Sequence, residues 1–195
     1  MSQLNIQLIL DMYSNKENYD ANKHRFSEYT LSLFNKFKNS KQGLANVPYK
    51  IKCAVFLDYM IKFYLLPKMI KFPAEVIAKQ HDIDIYFVNK FLNNFAESSY
   101  HLGDRDKHVK TPLLVLKNIY YILILSLLLS DFKFDYSILA NSLKIEEKDI
   151  FHYYKEIGCK LSDISKKGKT TKGITVELEA PLKLNTEHSK YGKNK

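Results

Sequence analysis

The residues of this 195-residue chain best placed to do chemistry are cations on a glycine-bearing loop. Lys166, Lys167, Lys169 and Lys172 fall between Ser165 and Gly173, Lys160 precedes them, and Asp163 is the only acid nearby. Lysines on an exposed loop neutralise phosphates without reading bases, and each such contact adds to the salt dependence of binding. A weaker cluster, Arg105, Lys107 and Lys110, is offset by Asp104 and Asp106. Asn89, Lys90 and Asn93, with Asn94, form a third set whose side chains suit DNA but carry little charge.

Catalytic constellations are not found. His24, His81, His101, His108, His152 and His188 show no metal-ligand spacing. Asp82 and Asp84 make an Asp-x-Asp, which could hold a divalent cation, but they fall where two helices need a turn and an N-cap, so capping is the expectation. Cys53 and Cys159 are too far apart for a ligand or redox spacing, and they read as buried free thiols of a reducing compartment. With no phosphate-binding glycine loop or nucleophile elbow, a non-catalytic protein is expected, without metal, cofactor or small-molecule substrate.

Composition narrows the class further. With 46% hydrophobic residues, two Cys and few Gly or Pro, the chain is neither a disordered tail, a disulfide scaffold nor a fibrous repeat. The net charge of +9 comes from 28 Lys and two Arg against 21 acids, beside 14 Asn. Lys and Asn rise together in AT-rich genomes, so the placement of charge says more than its sum. The N-terminus lacks a basic signal region. Asn118 to Ser130 is uncharged over 13 residues, where a spanning helix needs about 20; it reads as a helix buried in a soluble core, with no membrane partner.

The elements that must position these residues come from a repeat. A shift of 62 residues lays Lys71 to Lys79 on Lys133 to Asn141, Ile83 on Ile145, Val88 on Ile150, Phe91 on Tyr153, Tyr59 on Tyr121 and Leu65 on Leu127. Each copy opens with a long apolar helix, Lys50 to Leu65 or Pro112 to Ser130. On the first of these, Asp58 and Lys62 stand one turn apart and are expected to pair on the solvent face. A short helix follows, from Pro73 or after the N-cap Asp135, then a turn, then a third helix, Asp84 to about Ser98 or Glu146 to Ile157. Gly158 is the expected C-cap. Each copy ends in a hairpin, Tyr100 to Val109 or Cys159 to Pro181, and Ile174 to Glu179 alternates as a half-buried strand does.

Long helix, short helix, turn, third helix and hairpin make a helix-turn-helix with a wing. The expected fold class is mainly α with small β-hairpin wings, a tandem winged-helix protein. Residues 1–46 are expected as a linker with an amphipathic helix, Asn22 to Lys38, whose Phe26, Leu33, Phe34 and Phe37 face the first unit. Winged helix one covers 47–110, winged helix two 111–184, and 185–195 reads as a disordered tail.

The third helix of the second copy offers Glu146, Glu147, Asp149 and Glu156 against Lys148, His152 and Lys155, a face that phosphates would repel. Any DNA binding should therefore be backbone-driven, of low sequence specificity, and on double-stranded DNA.

Tyr153 to Lys160 (YYKEIGCK) and Leu178 to Leu184 (LEAPLKL) together resemble the closing signature of the forty-nine-kilodalton subunit family of RNA polymerase I. There a Gly-Cys-Lys ends the last recognition helix and a Leu-x-x-Pro-Leu-Lys segment ends the last wing strand. The resemblance covers about Val47 to Leu184. It implies a TFIIE-like, non-catalytic subunit of the nucleus and nucleolus that binds DNA, joins other RNA polymerase I subunits and supports initiation and elongation of ribosomal RNA synthesis. Two departures stand out. The family's N-terminal dimerisation module, which pairs with a TFIIF-like subunit, has no expected counterpart before residue 47, and its Phe-Pro after Pro-Leu-Lys is Leu184-Asn185 here. The alternative is a protein-protein adaptor of another transcription complex, without significant DNA binding.

Overall fold

The structure is a computed structural model that describes residues 16–39, 47–98, 107–164 and 173–178. Their elements, in order, are α1 (Lys16–Asn22), a 3-10 turn (Lys23–Arg25), α2 (Glu28–Asn39), α3 (Val47–Leu65), β1 (Met69–Ile70), α4 (Ala74–His81), α5 (Ile85–Phe95), β2 (Glu97–Ser98), β3 (His108–Val109), α6 (Pro112–Leu129), β4 (Lys133–Asp135), α7 (Ser137–Leu143), α8 (Glu147–Ile157), β5 (Lys160–Ile164) and β6 (Gly173–Glu177). The chain is mainly α with small antiparallel strands, as expected.

It divides into two compact units, 1–129 and 130–195. In the first, α3 is the central helix. Ile51, Leu57 and Phe63 on it have no exposure, and α2, α5 and α6 all pack against it. Because α6 packs on α3 and α5, compactness groups it with the first unit, although the sequence repeat assigns it to the second copy. One helix was expected over Asn22 to Lys38, but the chain breaks at Phe26, whose backbone is extended. Ser27 then caps α2, its hydroxyl accepting from the Thr30 N–H at 3.3 Å. Leu33, Phe34 and Phe37 are buried as the period requires, and Phe26 packs edge-on against Phe34 with centroids 5.3 Å apart.

The repeat reappears as geometry. Asp82 and Lys144 both take the left-handed conformation (φ 52°, ψ 48° and φ 55°, ψ 37°) after α4 and α7. The next amide turns back each time: Ile83 N–H donates to the Ala78 carbonyl at 3.0 Å, and Ile145 N–H to the Ala140 carbonyl at 3.1 Å. Both third helices run eleven residues, α5 and α8, with Val88 and Ile150 fully buried at equivalent positions. Each copy has a three-stranded antiparallel sheet in the same order, β1-β3-β2 and β4-β6-β5, with the returning strand of the hairpin in the centre. In the second sheet Leu161 stands opposite Val176 and Ser162 opposite Thr175. Strands β1, β2 and β4 were not foreseen; Glu97 and Ser98, expected as the end of a helix, pair with Val109 and His108.

Two further expectations change. Asp58 and Lys62 do pair, with Nζ 3.0 Å from Oδ2, but Asp58 is fully buried rather than on the solvent face. The reason is α2, which covers that face of α3: Asp58 Oδ1 accepts from the Ser27 N–H at 2.7 Å. The apolar helix α6 was expected to be buried. It is 18 residues long and apolar enough to meet a length and composition criterion for crossing a membrane, yet only 39% of it is buried. Neighbours cover one face and leave Leu113, Tyr121, Ile124 and Leu128 exposed.

Candidate nucleic-acid interface

Helix α5 starts where Asp84 Oδ1 accepts from the Tyr86 N–H at 2.9 Å, the N-cap role expected of it. Val88, Phe91, Leu92 and Phe95 then face inward, which leaves Asn89, Lys90, Asn93 and Asn94 exposed on the other side. Lys90 Nζ lies 5.6 Å from the centre of the Tyr86 ring, and Asn94 Nδ2 donates to the Lys90 carbonyl at 2.7 Å. Asp82 does not join Asp84. It accepts two bonds from Arg25, Nε at 2.7 Å and Nη2 at 2.8 Å, so the Asp-x-Asp is divided between a cap and a bidentate ion pair. Among the described residues no group of three or more His, Cys, Asp or Glu gathers.

In the first hairpin, Arg105 lies outside the described residues and Lys107 is partly exposed. Lys110 needs correction as a candidate DNA contact. It is 4% exposed, and its ammonium donates to the carbonyls of Tyr64 at 2.8 Å, Phe63 at 3.3 Å and Leu66. Phe63 and Tyr64 lie in the last turn of α3 and Leu66 just beyond it, where carbonyls run short of helical amides; the Phe63 oxygen also accepts from the Leu66 N–H at 3.2 Å, and the negative end of the helix dipole favours a cation there. Lys110 therefore closes a helix and cannot reach a phosphate. Burial lowers its pKa to about 8.

In the second unit Ile150 and Tyr154 anchor α8 to the core, with the Tyr154 ring edge-on to Phe134 at 5.9 Å. Its outer face presents Glu146, Glu147, Lys148, Asp149, His152, Lys155 and Glu156, all exposed. Lys148 Nζ is held 2.6 Å from Glu146 Oε2, so that cation is partly neutralised. Gly158 ends the helix at φ 95°, as its C-cap role requires. Lys160 is exposed at the start of β5. Lys166, Lys167, Lys169 and Lys172 lie outside the described residues, between the last paired positions Ile164 and Gly173. Across β4 and β6, Lys133 pairs with Glu177 at 2.7 Å.

Both cysteines are free, Cys159 buried and Cys53 half-buried. Burial pushes the Cys159 thiol up to about 11, which keeps it protonated and inert at neutral pH.

The sequence reading missed a cavity of about 290 Å³ in the first unit. It is lined by aromatic residues of α3, α5 and α6 together with Lys90 and Lys117. Lys117 Nζ lies 5.7 Å from the centre of the Phe95 ring and donates to the Asn94 carbonyl at 3.2 Å. Aromatic residues at three- and four-residue spacing read as core in a sequence, and nothing in that pattern marks Tyr86 and Tyr121 as exposed.

The family model for A49-like RNA polymerase I associated factor matches residues 1–185. No curated protein matches the chain.

Proposed function

The chain belongs to the A49-like RNA polymerase I associated factors, and from that premise we propose that it is an accessory, non-catalytic subunit whose two winged-helix units, 47–110 and 111–184, hold double-stranded DNA by its backbone. The observation that carries this reading is the second unit. A left-handed turn joins α7 to α8, and a three-stranded sheet has as its central strand the one that returns from a lysine-bearing loop. That order of elements is the one a wing requires. Five lysines, Lys160, Lys166, Lys167, Lys169 and Lys172, supply its charge, with Arg105 and Lys107 as a weaker group in the first hairpin. Asn89, Lys90 and Asn93 on the exposed face of α5 complete the DNA-facing set.

The contact is nonspecific. The outer face of α8 has four carboxylates where a base-reading helix would offer Arg, Lys, Asn or Gln. Phosphate contacts fix position and orientation without sequence information. A subunit of this kind holds DNA at the edge of the polymerase and supports initiation and elongation of ribosomal RNA synthesis in the nucleolus, alongside other polymerase subunits.

The test is a gel-shift titration on random-sequence duplex at several salt concentrations. Replacing Lys166, Lys167, Lys169 and Lys172 by Ala should flatten the salt slope by roughly 0.9 for each phosphate no longer neutralised. An unchanged slope, or no binding at low salt, removes the DNA role from this wing. Co-purification from the native cell with the large RNA polymerase I subunits tests the assembly. A second reading, an adaptor that docks protein through α8, is favoured by that helix's acidic face; it predicts co-purification without DNA binding.

A further inference from the structure

The aromatic cavity of the first unit is an open groove rather than a sealed void. Phe91 and Phe95 at its base are buried, with ring centroids 6.1 Å apart, while Tyr86 and Tyr121 at its edge are 57% and 54% exposed. Among the described residues that line it, Lys90 and Lys117 are the charged ones, and no carboxylate joins them. Both lysines lie within 6 Å of ring centres, which fixes their charge at the mouth of the groove.

A second observation extends the site. Leu113, Lys117, Tyr121, Ile124 and Leu128 recur every three or four residues along α6, hence on one face. Leu113 is 75%, Ile124 47% and Leu128 51% exposed. Lys117 and Tyr121 belong both to this stripe and to the groove, so an exposed apolar track runs on from the cavity along the helix. Apolar tracks rimmed by polar groups mark docking surfaces, and an aromatic pocket feeding such a track is the geometry that receives an amphipathic helix.

We propose that this groove docks an acidic amphipathic helix of a partner protein, with one leucine or aromatic side chain entering the cavity and carboxylates meeting Lys90 and Lys117. Charge complementarity selects this occupant. A second copy of the chain would bring like charges to the same lysines. A nucleic-acid strand needs cations along its path, whereas Leu113, Ile124 and Leu128 offer phosphates nothing. The proposal shares Lys90 with the DNA reading but does not rest on it, because Lys117, Tyr121, Ile124 and Leu128 have no place in that reading.

The test uses the full chain and two labelled peptides of about 16 residues, a length that matches the stripe. One carries Leu and Phe at i, i+3, i+4 and i+7 with Glu elsewhere; the other has Lys in place of each Glu. Fluorescence anisotropy should give at least about tenfold tighter binding of the acidic peptide. Lys117→Glu should abolish that preference, and Tyr121→Ala should weaken binding about tenfold. Both variants should keep the wild-type circular dichroism, and the uncharged change Tyr121→Ala should keep the duplex gel shift as well. Lys117→Glu gives up one exposed bond to the Asn94 carbonyl and a ring contact with Phe95 but removes no core packing, so it remains informative if Tyr121→Ala unfolds. The proposal is overturned by equal affinity for the two peptides, by absence of acidic-peptide binding, by indifference to Lys117→Glu, or by displacement of the peptide with oligothymidylate. Loss of the duplex gel shift alone would sink the DNA reading and leave this one standing.

Discussion

Asp82 and Lys144, 62 residues apart in the chain, adopt the same left-handed backbone conformation and turn the same helix pair in the two copies. A non-glycine residue costs roughly 1 kcal/mol there, and among the described residues Asp82 has an offsetting side-chain contact, its two bonds from Arg25, where none is seen for Lys144. Lys144→Gly should therefore stabilise the protein by about 0.5 to 1 kcal/mol, read as an upward shift of the thermal midpoint. Asp82→Gly should gain less or nothing, since it frees Arg25. A double-mutant cycle between Arg25 and Asp82 should return no more than about 1 kcal/mol, falling with added salt, because both side chains are partly exposed. Equal gains from the two glycines would show that the ion pair contributes nothing.

Asp58 ties two helices together. Its Oδ1 accepts from the Ser27 N–H while Ser27 caps α2, the part that a Glu three residues into α2 plays in an ordinary capping box. Lys62 Nζ stands 3.0 Å from the other oxygen, near enough to pair but not aligned as a hydrogen bond. Asp58→Ala should cost about 2 to 4 kcal/mol, because it leaves a buried amide without an acceptor and Lys62 without its counter-charge. Lys62→Met should cost less, since Lys62 is 18% exposed at its side chain and its stem can still pack. Urea titration of both variants orders the two costs; a larger loss at Lys62 would reverse the assignment.

Part of this architecture is legible in the sequence. Helix ends were legible at Asp84, Pro112 and Gly158, where the residue's own chemistry sets the backbone. The turn repeat was legible because Ile83 and Ile145 must return to a core. Strands β1, β2 and β4 were not, since two or three residues carry no period and their partners lie far along the chain. Asp58 and Lys110 were misread for a related reason. A charge reads as surface until a distant element covers it, α2 over Asp58 in one case and the carbonyls of α3 around Lys110 in the other. The candidate wing remained visible because loop lysines need no tertiary partner to be recognised.

Lys110 makes a pH-dependent prediction. Its folded pKa of about 8 lies below the ordinary lysine value, so between about 8 and about 10.4 the unfolded chain holds more protons than the native one. Stability from this group therefore rises with pH across that window, by about 3 kcal/mol at most, and is absent below it. Lys110→Met should destabilise the protein by about 1 to 3 kcal/mol at neutral pH, since the Tyr64 and Leu66 carbonyls lose the ammonium and the Phe63 carbonyl keeps only the Leu66 N–H. Chemical denaturation from pH 7 to 10 should show wild type gaining on Lys110→Met as pH rises. Parallel curves would mean that Lys110 titrates as an ordinary exposed lysine.

The acidic face of α8 should be felt by any DNA held at the neighbouring wing. If the lysines of that wing grip the backbone, Glu147, Asp149 and Glu156 lie within the field of the same duplex and repel it without touching it. Replacing the three by Gln, Asn and Gln should tighten random-duplex binding about three- to tenfold at low salt, an advantage that shrinks above about 0.2 M salt as screening shortens the reach of each charge. The gain should be equal for any sequence, because removing a repulsion adds no base contact. Gel shifts on two unrelated duplexes at two salt concentrations decide it. A gain confined to one sequence would mean that α8 lies in the groove after all, and no gain on either would place the DNA away from this helix.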